Sequence, residues 1–82
     1  MKKTIFHVYS EWFGENEFFF DAKGKLLHWW ACNDAHYRSE YMNPLMKALG
    51  ITVEHAEKTD PRFMSTIQET LREQGASDED FE

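Results

Sequence analysis

With 82 residues, a formal net charge of −6 and 16% aromatic residues, the chain is one small domain carrying a heavy apolar load. A single cysteine, Cys32, rules out an intramolecular disulfide and suits a reducing compartment. The nine Lys and Arg residues are scattered, which argues against direct binding of nucleic acid, and no apolar run approaches the roughly 18–20 residues of a membrane span.

The start, Met1-Lys2-Lys3-Thr4, has the basic opening of a signal peptide, but His7, Ser10 and Glu11 interrupt any apolar core behind it. A cytoplasmic protein is expected. Thr4 to Trp12 is rich in β-branched and aromatic residues and reads as a first strand, closed by turn chemistry at Gly14-Glu15-Asn16. Phe18-Phe19-Phe20 and Leu26-Leu27-His28-Trp29-Trp30 then form a hairpin around Asp21-Ala22-Lys23-Gly24-Lys25. Side chains alternate along a strand, so Phe18 and Phe20 diverge from Phe19, and Trp29 diverges from Trp30. These three strands are expected as an antiparallel meander.

Beyond Cys32-Asn33-Asp34 the spacing turns helical. Tyr37, Tyr41, Leu45 and Leu49 recur every fourth residue as a core-facing stripe, with Pro44 as a kink or a fresh start and Gly50 as the stop. Ile51 to Glu57 alternates as a fourth, edge strand, and Asp60-Pro61 opens a second helix with Phe63, Met64, Ile67 and Leu71 on its apolar side. The expected fold is α+β in the order β-β-β-α-β-α: a small antiparallel sheet, the meander plus an edge strand, with two helices packed on one face. Residues 1–76 make the domain, and 77–82 an acidic flexible C-terminal tail with little to bury.

The chemistry-bearing residues point away from an enzyme. His28, Cys32 and His36 are spaced by four with Asp34 among them, and His7 and His55 could complete a set, but the segment crosses from strand to helix and breaks a helical ligand face. Structural histidines and a buried thiol are the reading adopted, with no cofactor, no metal and no catalytic residue. Cys32 before a helix start, with His28 or His36, could be drawn as a nucleophile and base, but no local signature or cleft supports it. The four glycines are isolated, so there is no phosphate loop.

Between Thr4 and Ala22 there is no Lys or Arg, while Glu11, Glu15, Glu17 and Asp21 are acidic. Both faces of the meander carry aromatics, and two helices cover only one. The expectation is a small acidic protein-binding module, a non-enzymatic inhibitor or adaptor. It would anchor through Trp12, Phe13, Trp29 and Trp30, with Glu11, Glu15, Glu17 and Asp21 as a rim facing a basic partner surface. In build, though not in motif, such a protein resembles the short inhibitors that phages and mobile elements deploy against host nucleases. The alternatives are a homodimer of structural or regulatory role closed by the aromatic face, and a nucleic-acid mimic built from spaced carboxylates.

Overall fold

The structure is a computed structural model that describes residues 3–31, 44 and 46–82. Four strands, β1 (Lys3–Ser10), β2 (Asn16–Phe20), β3 (Leu26–Ala31) and β4 (Ile51–Ala56), form one sheet in the order β3-β2-β1-β4. The meander is as expected: β1 pairs antiparallel with β2, and β2 with β3. The purely antiparallel sheet is corrected. β4 lies on the outer side of β1 and runs parallel to it, with Lys3 opposite Ile51 and His7 opposite His55. Nineteen residues separate β3 from β4, enough for the crossover that parallel pairing needs, whereas a tight turn would have forced antiparallel pairing.

The pairing sorts the side chains. Phe6 faces Phe20, Val8 faces Phe18 and Phe18 faces Trp29, so these share one face. Helix α1 (Met64–Glu73) and the residue before it cover that face with Phe63, Ile67 and Leu71, all fully buried in one cluster with Phe6, Val8, Trp12, Phe18 and Phe20. Each such side chain contributes about 1.5–3 kcal/mol on burial. The Phe63 ring stacks on Phe20 at 4.6 Å and lies 5.5 Å from Phe6. A helix shifted along its axis would lose both contacts.

The approach to α1 is a turn rather than a first helical residue at Pro61. The Asp60 carbonyl accepts from the Phe63 and Met64 amides at 3.0 and 2.9 Å, and its carboxylate accepts from Arg62. At the far end Ala76 N–H reaches Leu71 O and Gly75 N–H reaches Arg72 O, both at 3.0 Å. This is the paired closure that needs a left-handed residue, supplied by Gly75 at φ 112°.

The first expected helix, with Cys32 to Asp34 at its start, lies largely outside the described residues. Pro44 and residues 46–48 are helical, and the segment closes with Leu49 N–H on Met46 O and Gly50 N–H on Lys47 O. Leu49 is 69% exposed, which corrects its place in a core-facing stripe: it sits in the closing turn, past the last helical residue. Whether both helices share one face also lies outside the described residues.

Ser77 and Asp80 cap each other reciprocally at the start of a short 3-10 helix, Asp78–Phe81. Phe81 packs edge-on against Trp12 with centroids 5.4 Å apart. The acidic run is therefore tied to the core by one aromatic ring.

Candidate functional site

The β1–β2 turn and the C-terminal turn meet at one end of the sheet. Trp12 is folded inward, with Lys58 Nζ 4.9 Å above its ring and Phe81 at its edge. Asn16, also buried, pins the turn: its side-chain amide donates to Trp12 O at 2.9 Å and Gly14 O at 3.0 Å, while its oxygen accepts from Trp29 Nε1 at 3.2 Å. With Trp12 drawn in, the next residue is pushed out. Phe13 takes φ 54°, the left-handed region that a bulky side chain avoids, and its ring remains 42% exposed beside Gly75.

Acidic residues flank Phe13 and follow the turn it touches. Glu11 and Glu15 flank it in sequence, and Asp78, Glu79, Asp80 and Glu82 follow Gly75, against which it leans. Among the described residues the cations at this end are Lys58, over Trp12, and Arg72, which holds Asp78 at 3.1 Å and lies over Phe81. Tyr9 registers the local field. Burial, its hydrogen bond to Glu15 at 2.9 Å and repulsion from Glu15, Glu11 and Glu17 push its phenol up to about 12.

On the sheet face away from α1 a polar chain crosses all four strands. Glu17 is fully buried and accepts from His7 Nε2 at 2.6 Å and from Trp30 Nε1 at 2.8 Å. His7 Nδ1 in turn lies 2.8 Å from His55 Nδ1. Ile5 and Phe19 close around it at 8% and 3% exposure. A buried carboxylate is costly unless its lone pairs are occupied, and here both oxygens are bonded.

No protein-family model, no curated protein and no solved structure matches the chain.

The four aromatic anchors and four acidic rim residues expected to bind a partner are dispersed by these contacts. Phe13, Glu11 and Glu15 come together at the turn. Trp12 lies in the core beneath them, and Trp29, half-buried, stacks 6.3 Å from Phe18 on the helix-covered face. Trp30 lies on the opposite face, bonded to Glu17. Glu17 is interior rather than rim. Asp21 closes the β2–β3 turn, its carboxylate accepting the Lys23 and Lys25 amides at 2.9 Å. Those two amides hold its carboxyl below the usual range.

Two contributors escaped the sequence reading. Asn16 looked like ordinary turn chemistry, and its burial depends on contacts to the Trp12 carbonyl and to Trp29 from β3 that leave no local signal. The C-terminal carboxylates join the site only because Phe81, six residues beyond Gly75, folds back. Of the residues weighed for metal or thiol chemistry, Cys32, Asp34 and His36 lie outside the described residues. His28 is exposed on β3 with its ring against Trp30 at 4.5 Å. Among the described residues no group of three or more His, Cys, Asp or Glu is arranged to hold a metal ion, and no helix is long and apolar enough to cross a membrane.

Proposed function

We propose that this is a non-enzymatic protein-binding module, an inhibitor or adaptor acting in the cytoplasm, which docks its turn end on a basic protein surface. Phe13 is the anchor, and Glu11, Glu15 and the carboxylates of residues 78–82 steer and frame it. The observation that carries this reading is Phe13 itself: a bulky residue kept at φ 54° with its ring 42% exposed, in the middle of an acidic field. Left-handed strain at a non-glycine residue costs of order 1–3 kcal/mol. Folding alone gains little from a half-exposed ring there, whereas a partner pocket would bury it. Aromatic anchors inside a polar rim dominate protein interfaces, and complementary charge chiefly raises the rate of encounter.

The two alternatives have less behind them. A homodimer through the second sheet face would have to bury surface that is already covered, since Ile5, His7, Glu17 and Phe19 are at most 8% exposed. A mimic of nucleic acid needs a spaced row of outward carboxylates, but Glu17 is interior and Asp21 is spent on its own turn.

The test is capture from a host extract with the wild type, Phe13→Asn and the charge reversal Glu11→Lys/Glu15→Lys, with Glu69→Lys on α1 as the surface control. A basic protein retained by the wild type and by Glu69→Lys, lost with Phe13→Asn and weakened by salt and by the reversal, supports the reading. Equal retention by all four chains, or loss with Glu69→Lys alone, overturns it.

A further inference from the structure

Residues 77–82 bring the carboxylates of Asp78, Glu79, Asp80 and Glu82 to the end of the sheet where Glu11 and Glu15 flank Phe13. An uncharged contact holds them there: the Phe81 ring stands edge-on to Trp12 at 83°, with centroids 5.4 Å apart. Arg72 adds a second tie, lying 5.0 Å over the Phe81 ring and holding Asp78 at 3.1 Å. That ion pair is open to water, with Arg72 49% and Asp78 93% exposed, and such pairs contribute little. The reciprocal cap of Ser77 and Asp80 lies within the segment, so it shapes the turn without tying it to the domain. Ala76 is anchored, its N–H held by Leu71 O at 3.0 Å and its side chain packed on the core, so the pivot falls at Ser77. Charge works against these ties. Closing the segment crowds its carboxylates together with Glu11 and Glu15, and like charges repel more strongly as they approach.

We propose, on the reading that the turn end docks a basic surface, that residues 77–82 form a strap whose closure is coupled to that docking. With Phe81 seated on Trp12, the strap completes the acidic frame at the Phe13 end. Swung away about Ser77, it turns the Phe81 ring out to water and leaves the frame to Glu11 and Glu15. Lysines or arginines on a partner lower the repulsion that opposes closure, so the partner favours the closed strap. By linkage, the closed strap binds that partner more tightly by the same factor. Phe81 is thus a positioning residue. It carries no charge, yet it decides where the carboxylates stand. Arg72 reinforces it, because both of its partners, Asp78 and the Phe81 ring, belong to the strap.

The experiment titrates the full chain with a capped tetralysine peptide as the basic probe, at low salt, where charge is least screened. Proton spectra follow the Phe81 ring, whose signals the Trp12 indole displaces while the two are in contact, and the same titration gives the peptide's affinity. Variants are Phe81→Ser, which keeps every carboxylate, and Phe81→Tyr, which keeps the ring, each checked for folding by circular dichroism. The wild-type Phe81 signals should move further from their random-coil positions as tetralysine is added. Phe81→Ser should bind tetralysine about fivefold more weakly or worse, the low end for coupled sites, with affinity recovered in Phe81→Tyr. A smaller loss in Phe81→Ser, or wild-type Phe81 signals that tetralysine leaves unmoved, overturns the proposal. If Phe81→Ser does not fold, the wild-type ring signals decide alone. Docking through Phe13 fails separately, when Phe13→Asn retains the captured protein, and that result leaves both tetralysine readouts as they are.

Discussion

Glu17 lies in the strand that is buried along its whole length, and its two donors come from the strands on either side. Removing Glu17 takes the acceptor from His7 Nε2 and Trp30 Nε1, at about 1–3 kcal/mol for each buried donor. Glu17→Ala should therefore unfold a domain of this size or bring it close to unfolding, as measured by urea denaturation. Asn16 carries a different load. Three hydrogen bonds end on its amide, each worth about 0.5–1.5 kcal/mol, so Asn16→Ala should cost roughly 2–4 kcal/mol and loosen the β1–β2 turn. A loss under about 0.5 kcal/mol would mean that water replaces the amide without penalty. Phe13 behaves oppositely. Replacement by Asn, which tolerates the left-handed region, relieves strain while giving up partial burial, two effects of about 1 kcal/mol that cancel. Phe13→Asn should leave stability within about 1 kcal/mol of wild type while abolishing docking. Charge alone did not separate Glu17 from Glu11 and Glu15 in the sequence. The distinction depends on His7 and Trp30 arriving beside it from neighbouring strands.

At the scale of elements, the β1 strand end and its turn set the electrostatics that Tyr9 reports. In the unfolded chain a tyrosine ionises near 10, whereas folded Tyr9 holds its proton up to about 12. The folded state therefore binds more protons in that interval. The stability linked to Tyr9 is complete below about pH 10 and is lost as pH rises towards 12. An ultraviolet titration should show one tyrosine ionising late, absent in Tyr9→Phe and moved back towards 10 in Glu15→Gln. An unchanged late transition in Glu15→Gln would contradict the assignment. The strands and α1 were legible because alternation and four-residue spacing are local signals, and Phe63, Ile67 and Leu71 fell where the spacing put them. The direction of β4 was not. It depends on the path of a long connection, and an alternating edge strand reads the same in either direction. The docking of Phe81 was equally hidden, since a single aromatic in an acidic run gives no periodicity.

Across the whole molecule, one face of the sheet is filled by α1 and the centre of the other is closed over a buried polar chain, and among the described residues the one exposed large aromatic is Phe13 at the turn end. A stable protein interface needs about 800 Å² from each partner, and at the centre of the second sheet face Ile5, His7, Glu17 and Phe19 are already buried. Light scattering after size exclusion should thus give a mass near 9.8 kDa over a wide concentration range. A mass of twice that would return the homodimer to first place. The proposed docking end is tested most directly by amide chemical-shift mapping of ¹⁵N-labelled protein titrated with a basic protein recovered in the capture experiment. The account predicts that perturbed amides cluster at residues 11–15 and 75–82 and that the shifts shrink at high salt. Shifts centred instead on β3 or β4, with residues 11–15 silent, would contradict it.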